Sequence, residues 1–134
     1  MAEGLEPGTV ISMADGQYVS LEDVKVGDDV FSYDAKSKEF KPSKVVGLDK
    51  VEMNTLYRIR AKEQIECSPG MKIMLSDGNT KVAKDIKEGD KIVDEYGQVE
   101  EVKNVEKVEK PLTMLSILVE DGSFVADGFV VISE

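Results

Sequence analysis

Apolar residues in this chain come in short runs, and most runs stop at an aspartate-glycine pair. Val10, Ile11 and Met13 lead to Asp15-Gly16, and Ile73, Met74 and Leu75 lead to Asp77-Gly78. A glycine that tolerates positive φ lets the chain reverse there, so each run reads as a strand entering a tight turn. A short polar strand follows each turn, then a helical turn around residues 21–24 or 83–86. A second turn, Val26-Gly27-Asp28 or Glu88-Gly89-Asp90, feeds the next apolar pair, Val30-Phe31 or Ile92-Val93. Short strands with turn signals at this spacing predict an all-β architecture.

The two stretches are copies of one another. With a shift of 62 positions and no gap, nine of the 22 residues in 7–28 recur in 69–90. Two copies are too few for a solenoid. The pattern predicts a duplicated unit, residues 7–34 and 69–94, packed about a pseudo-twofold axis within a single domain covering 1–134.

Between and beyond the copies the pattern predicts further strands. Residues 1–6 read as a frayed lead-in, and residues 35–38 as a hairpin tip. Pro42 ends a short strand, because a residue without an N–H belongs at an edge or a bend. Residues 44–48 form a new strand and residues 49–54 a polar connection. Residues 55–60 and 64–67 form a hairpin closed at 61–63, with Tyr57 and Ile59 on one face and Ile65 and Cys67 together on the partner. Residues 95–98 are a turn. Valines at 99, 102, 105 and 108 would suit a helix, but β-branched residues favour strands with a bulge. The apolar runs 115–119, 124–126 and 129–132 are separated by Asp121-Gly122 and Asp127-Gly128, both hairpin signals. So apolar a last strand belongs in the middle of a sheet.

Composition then narrows the chemistry. The chain has 134 residues, enough for a sizeable core, and no stretch of about 18 apolar residues that would span a membrane. No basic-then-apolar leader opens it, and one cysteine excludes an internal disulfide or a cysteine zinc cluster. A cytoplasmic or virion-associated location is the expectation. Twenty-seven acids against 17 bases give a net charge of −10, which repels a phosphate backbone and reads as solubility. There is no histidine, so Ser-His-Asp and Cys-His arrangements and imidazole metal sites are excluded. No cofactor or metal is expected, and any acid or base would be a carboxylate, lysine or tyrosine.

Several stretches together resemble one family. Gly8-Thr9-Val10-Ile11 with Ala14-Asp15-Gly16, and residues 21–28, resemble the opening of a Hint (Hedgehog/intein) domain. Residues 67–71 and 76–90 are similar to its second motif block, and residues 115–131 to its C-terminal blocks. The resemblance implies a horseshoe-like all-β disc with an internal duplication, its ends meeting near the centre. It also implies self-cleaving chemistry, in which a first Cys or Ser attacks the preceding carbonyl and a closing Asn cyclises.

The residues at those positions are of other kinds. The first nucleophile falls on Gly4, or on Leu5 if the loop is one shorter. The Thr and His of the second block fall on Ser68 and Met71, and the later Asp and His on Ser116 and Gly122. The closing His-Asn pair falls on Ile132 and Ser133, followed by Glu134. The alternative set built on Trp, Cys and Thr is missing its Trp. An enzymatic role is left open on this reading. The open readings are a silent structural or interaction module, a remnant or engineered inactive intein, and a domain with residual, unconventional autoprocessing. Expected partners are flanking host-protein segments or a protein partner, for a monomer that binds neither nucleic acid nor membrane.

Single residues have plain readings too. Cys67, beside Glu66 and in phase with Ile65, reads as an inert core thiol. Ser68, before Pro69, is expected to satisfy backbone groups of its turn. Asp28 and Asp90 read as turn residues, Asp23 and Asp85 as solvated or capping ones. Met71 is expected to fill the pocket where the family places an imidazole. Ser133 has no visible group to activate it.

Overall fold

The computed structural model describes residues 3–133. The first copy of the repeated unit runs through β1 (Val10–Ser12), β2 (Tyr18–Ser20), a 3₁₀ turn over Leu21–Asp23, and β3 (Asp29–Asp34). Then come the long β4 (Glu39–Arg60) and β5 (Gln64–Cys67). The second copy comprises β6 (Lys72–Met74), β7 (Thr80–Val82), a 3₁₀ turn over Ala83–Asp85, and β8 (Lys91–Val93). The chain closes with β9 (Val99–Glu101), β10 (Asn104–Val119), β11 (Ser123–Ala126) and β12 (Phe129–Ile132). The all-β expectation holds.

The two copies repeat each other down to single hydrogen bonds. Met13 N–H donates to Gln17 O at 2.9 Å, and Leu75 N–H to Asn79 O at 2.8 Å. Leu21 N–H donates to Thr9 O at 2.7 Å, and Ala83 N–H to Met71 O at 2.8 Å. Asp28 and Asp90 each accept, through Oδ2, the N–H of the lysine three residues earlier at 2.9 Å. Both aspartates are therefore turn residues, and the glycine before each has φ near +90° (Gly27 +98°, Gly89 +89°).

A six-stranded sheet in the order β2-β1-β11-β12-β6-β7 joins the copies. The last hairpin lies at its centre. β11 pairs with β1 at Ala126 and Ile11, and β12 pairs with β6 at Val131 and Ile73. Ile11 and Ile73 are equivalent in the repeat, so the two copies flank the β11–β12 hairpin through corresponding strands. Ile11, Ile73, Phe124 and Phe129 are at most 1% exposed and anchor the main core.

β10, β4 and β3, with β5 on β4, form a second sheet as a long ribbon, β8 and β9 pair as a third, and in the ribbon two predicted interruptions are absent. β4 runs unbroken for 22 residues. Pro42 stays inside it, opposite Phe31, and residues 49–53 pair with β10 instead of forming a connection. The physical reason is that β4 pairs β3 over residues 39–44 and β10 from Val45 onward. Val45 N–H and O both bond toward the β3 side, so by two-residue alternation the Pro42 nitrogen faces an open edge. The polar composition of 49–54 reflects a solvent-exposed ribbon, not a loop. The expected bulge is present where Lys110 and Pro111 together oppose Asn54, between the Glu109 and Leu112 pairs. Tyr57 pairs with Cys67 and Ile59 with Ile65, which puts all four on one face as the alternation required. The helical alternative for 99–110 is overturned.

The lead-in is not frayed over residues 3–6; Met1 and Ala2 lie outside the described residues. Leu5 is fully buried and bridges both Cys67 and Leu115. Leu5→Ala is expected to lower the free energy of unfolding by about 2–5 kcal/mol in urea titration. A loss under about 0.5 kcal/mol, ordinary for exposed positions, would return the segment to a loose end.

Candidate functional site

Three distant segments meet where the chain enters the fold. Leu5 N–H donates to Leu115 O at 2.8 Å, and Leu115 N–H returns a bond to Leu5 O at 2.9 Å. With Leu5 also bridged to Cys67, the preceding residue Gly4 is brought against Ser68. Ser68 N–H donates to Gly4 O at 2.9 Å, and Gly4 N–H donates to Ser68 Oγ at 2.9 Å.

The Ser68 hydroxyl donates in turn to Glu3 Oε1 at 2.7 Å, and Gly70 N–H reaches the same oxygen at 3.1 Å. A serine hydroxyl has one proton and two lone pairs. Here the proton points to the Glu3 carboxylate and a lone pair receives the Gly4 N–H. Ser68 therefore grips the Glu3–Gly4 peptide as an acceptor and has no proton to give its nitrogen. The expected role of Ser68, satisfying its own turn, is corrected: its Oγ serves residues more than 60 positions away.

Gly4 is packed without room for a side chain. A Cβ there would lie 2.7 Å from Met114 Cβ and 3.0 Å from Val51 Cγ1. Met71 N–H closes the Ser68 turn at 3.1 Å, and Met71 itself is 2% exposed in the core with Leu5 and Cys67. Ser116 follows Leu115 on β10, opposite Asp49, and is buried. It lines a groove of about 620 Å³ with Leu21, Val24, Leu48 and Leu115.

The other singled-out residues form a second group. Ser133 N–H donates to Gly122 O at 2.8 Å, and Ser133 Oγ accepts Val119 N–H at 3.1 Å. Gly122 has φ +89° and closes the β10–β11 turn, while Ile132 packs against the smaller core cluster that holds Tyr33, Met74 and Val130. Both groups hang on β10, at Leu115 and Val119. Four residues along a strand is about 13 Å. The structure thus gathers Gly4, Ser68, Met71 and the residue before Ser116, and places Gly122, Ile132 and Ser133 apart from them. Glu134 lies outside the described residues.

Residues 10–126 match the family described as the pretoxin HINT domain. The chain belongs to that family.

Solved structures similar to this HINT domain include inteins and an intein-like domain. A bacterial intein-like domain from Clostridium thermocellum is 24% identical, with all of this chain and 99% of that one covered at a TM-score of 0.89. The gp41-1 intein is 18% identical over 99% and 100% of the two chains, with a TM-score of 0.82. A DnaB intein from Synechocystis sp. PCC 6803 is 14% identical over 99% of each, with a TM-score of 0.87. At such identities the likeness is one of fold. No curated protein matches the chain.

In this HINT domain Cys67 is fully buried, and burial pushes its thiol well above the ordinary range, with the Glu66 and Glu3 carboxylates adding to the shift. A thiolate is what reacts, so this thiol is inert. Among the described residues no group of three or more His, Cys, Asp or Glu could hold a metal ion. Glu3 is the site residue that reading the sequence missed, because its role depends on a partner 65 positions away.

Two substitutions probe this geometry. Gly4→Ala is expected to destabilise the domain by about 1–3 kcal/mol through overpacking. Ser68→Ala is expected to cost a similar ~1–3 kcal/mol by stranding the Gly4 N–H. Chemical denaturation measures both, and an unchanged Gly4→Ala midpoint would mean Met114 yields freely. Cys67 is expected to stay unlabelled by a thiol reagent at pH 8 until denaturant is added.

Proposed function

We propose that this HINT domain is a non-cleaving member of its family, a structural or interaction module that holds the polypeptide on either side of it. One observation carries the reading: at Gly4, where the resemblance puts the first nucleophile, Met114 Cβ occupies the space a side chain would need. Ser68, aligned with a group that should polarise the adjoining peptide, commits its proton to Glu3. Ser133, aligned with the cyclising Asn, has a hydroxyl held by the Val119 backbone. Met71 fills the imidazole position with a buried, aprotic side chain. Gly122 and Ile132 complete the set with a turn glycine and a packed aliphatic chain.

The partners on this reading are the flanking host segments, or a protein bound through them, with the domain itself a monomer. The family's description as a pretoxin domain makes a toxin precursor the host we favour. Among the described residues no helix is long and apolar enough to cross a membrane. A cytoplasmic or virion-associated location belongs to the same proposal.

The alternative is residual autoprocessing by unconventional groups. Placing the domain between two reporter proteins and following intact mass for days separates the two. An unchanged full-length mass is expected, and any shorter product would overturn the proposal. A variant carrying Gly4→Cys, Met71→His, Ile132→His and Ser133→Asn is also expected to stay intact, because the new Cβ at position 4 still meets Met114. Cleavage by that variant would show a pocket ready for the reaction.

A further inference from the structure

Each copy of the repeat opens with a Pro-Gly turn, and the two turns are served differently. In the first copy Gly8 N–H donates to Glu22 Oε1 at 2.8 Å. In the second, the equivalent Gly70 N–H donates to Glu3 Oε1 at 3.1 Å. The residue equivalent to Glu22 is Lys84, whose side chain carries donors and no acceptor. Lys84 occupies the same place in its turn, with its backbone N–H on Pro69 O at 3.0 Å. The second copy has exchanged its own carboxylate for an ammonium, and the residue before Gly4 supplies the missing acid.

Two further features shape the place for a carboxylate. Ser68 Oγ–H donates to the same Glu3 oxygen at 2.7 Å, so two donors converge on one atom. Gly8 needs to be glycine for its backbone, at φ +93°, whereas Gly70 lies outside the positive-φ region. What Gly70 provides is space: a Cβ there would lie 2.7 Å from the Glu3 carboxylate carbon and from both its oxygens. In the first copy the Glu22 carboxyl is held below the usual carboxylate range by its own backbone N–H and that of Gly8.

We propose that the turn from Ser68 to Gly70 is a carboxylate-binding notch, which docks the acidic side chain of the residue preceding Gly4. Its ligand is an aliphatic carboxylate carried by the incoming polypeptide, Glu3 is the occupant, and Lys84 leaves the notch without an internal competitor. Glu3 is then a positioning residue: it seats the upstream flank so that the Glu3–Gly4 peptide lies against Ser68. This rests on the reading that the flanks are held and not cut, but the two fail separately. Cutting changes mass, whereas docking changes amide protection.

Hydrogen exchange followed by NMR on the whole chain tests it. Glu3→Ala is expected to speed exchange of the Gly70 and Gly4 amides by about tenfold or more while leaving Val125 and Val130 in the core unchanged. Glu3→Gln is expected to lie between, since a neutral amide oxygen still accepts a weaker bond. Adding Lys84→Glu to Glu3→Ala restores an internal carboxylate and is expected to recover Gly70 protection alone. Unchanged Gly70 exchange in Glu3→Ala, or no recovery in the double variant, would overturn the notch.

Discussion

The seating of the β11–β12 hairpin between β1 and β6 is what makes two repeats one molecule. β1 and β6 have three residues each, too few to persist without neighbours on both edges. Each receives one edge from its own copy and the other from the hairpin. The hairpin can serve both because β11 is buried along its whole length and β12 through Val131. Asp127 and Gly128 in its turn both have positive φ, at +48° and +81°, as a tight two-residue hairpin turn needs. Asp127 also ties the turn back to β1, accepting Val10 N–H through Oδ1 and donating its own N–H to Val10 O, each at 2.8 Å.

The candidate site follows from the same economy of edges. With β5 on one side and β10 on the other, the chain entering the fold has a slot to fill, and Leu5 fills it. Its burial fixes Gly4 one residue upstream, close enough to β10 that the backbone occupies the volume a side chain would take. Glu3 then falls opposite Ser68 and Gly70. The donors that greet it belong to a turn whose counterpart in the first copy holds a carboxylate of its own. A duplicated unit has thus produced two related turns with different occupants, one internal and one drawn from the flank.

Much of this fold was legible in the chain itself. The turns at Gly16, Gly27, Gly78 and Gly89 lie where Asp-Gly and Gly-Asp pairs marked them, because turn preference belongs to a few consecutive residues. The face shared by Tyr57, Ile59, Ile65 and Cys67 followed from the two-residue alternation of a strand. Pro42 and the polar run after it misled because their meaning depends on which edge of β4 is open at that point. The lead-in misled for a like reason, since two glutamates and a glycine give no local sign that Leu5 is clamped on both sides.

The site was legible as a set of positions and not as an arrangement. That Gly4, Met71 and Ser133 stand where other chemistry was expected could be read residue by residue. That Ser68 accepts from Gly4, and that its hydroxyl donates to Glu3, was decided by the fold. Sequence alone determined the doubled all-β scaffold and the turns that delimit it, since these rest on neighbours along the chain. Tertiary structure alone decided which of those residues touch, and how little room Gly4 has. Contacts across 64 and 65 positions are set by how the sheets close on each other, which no local pattern encodes.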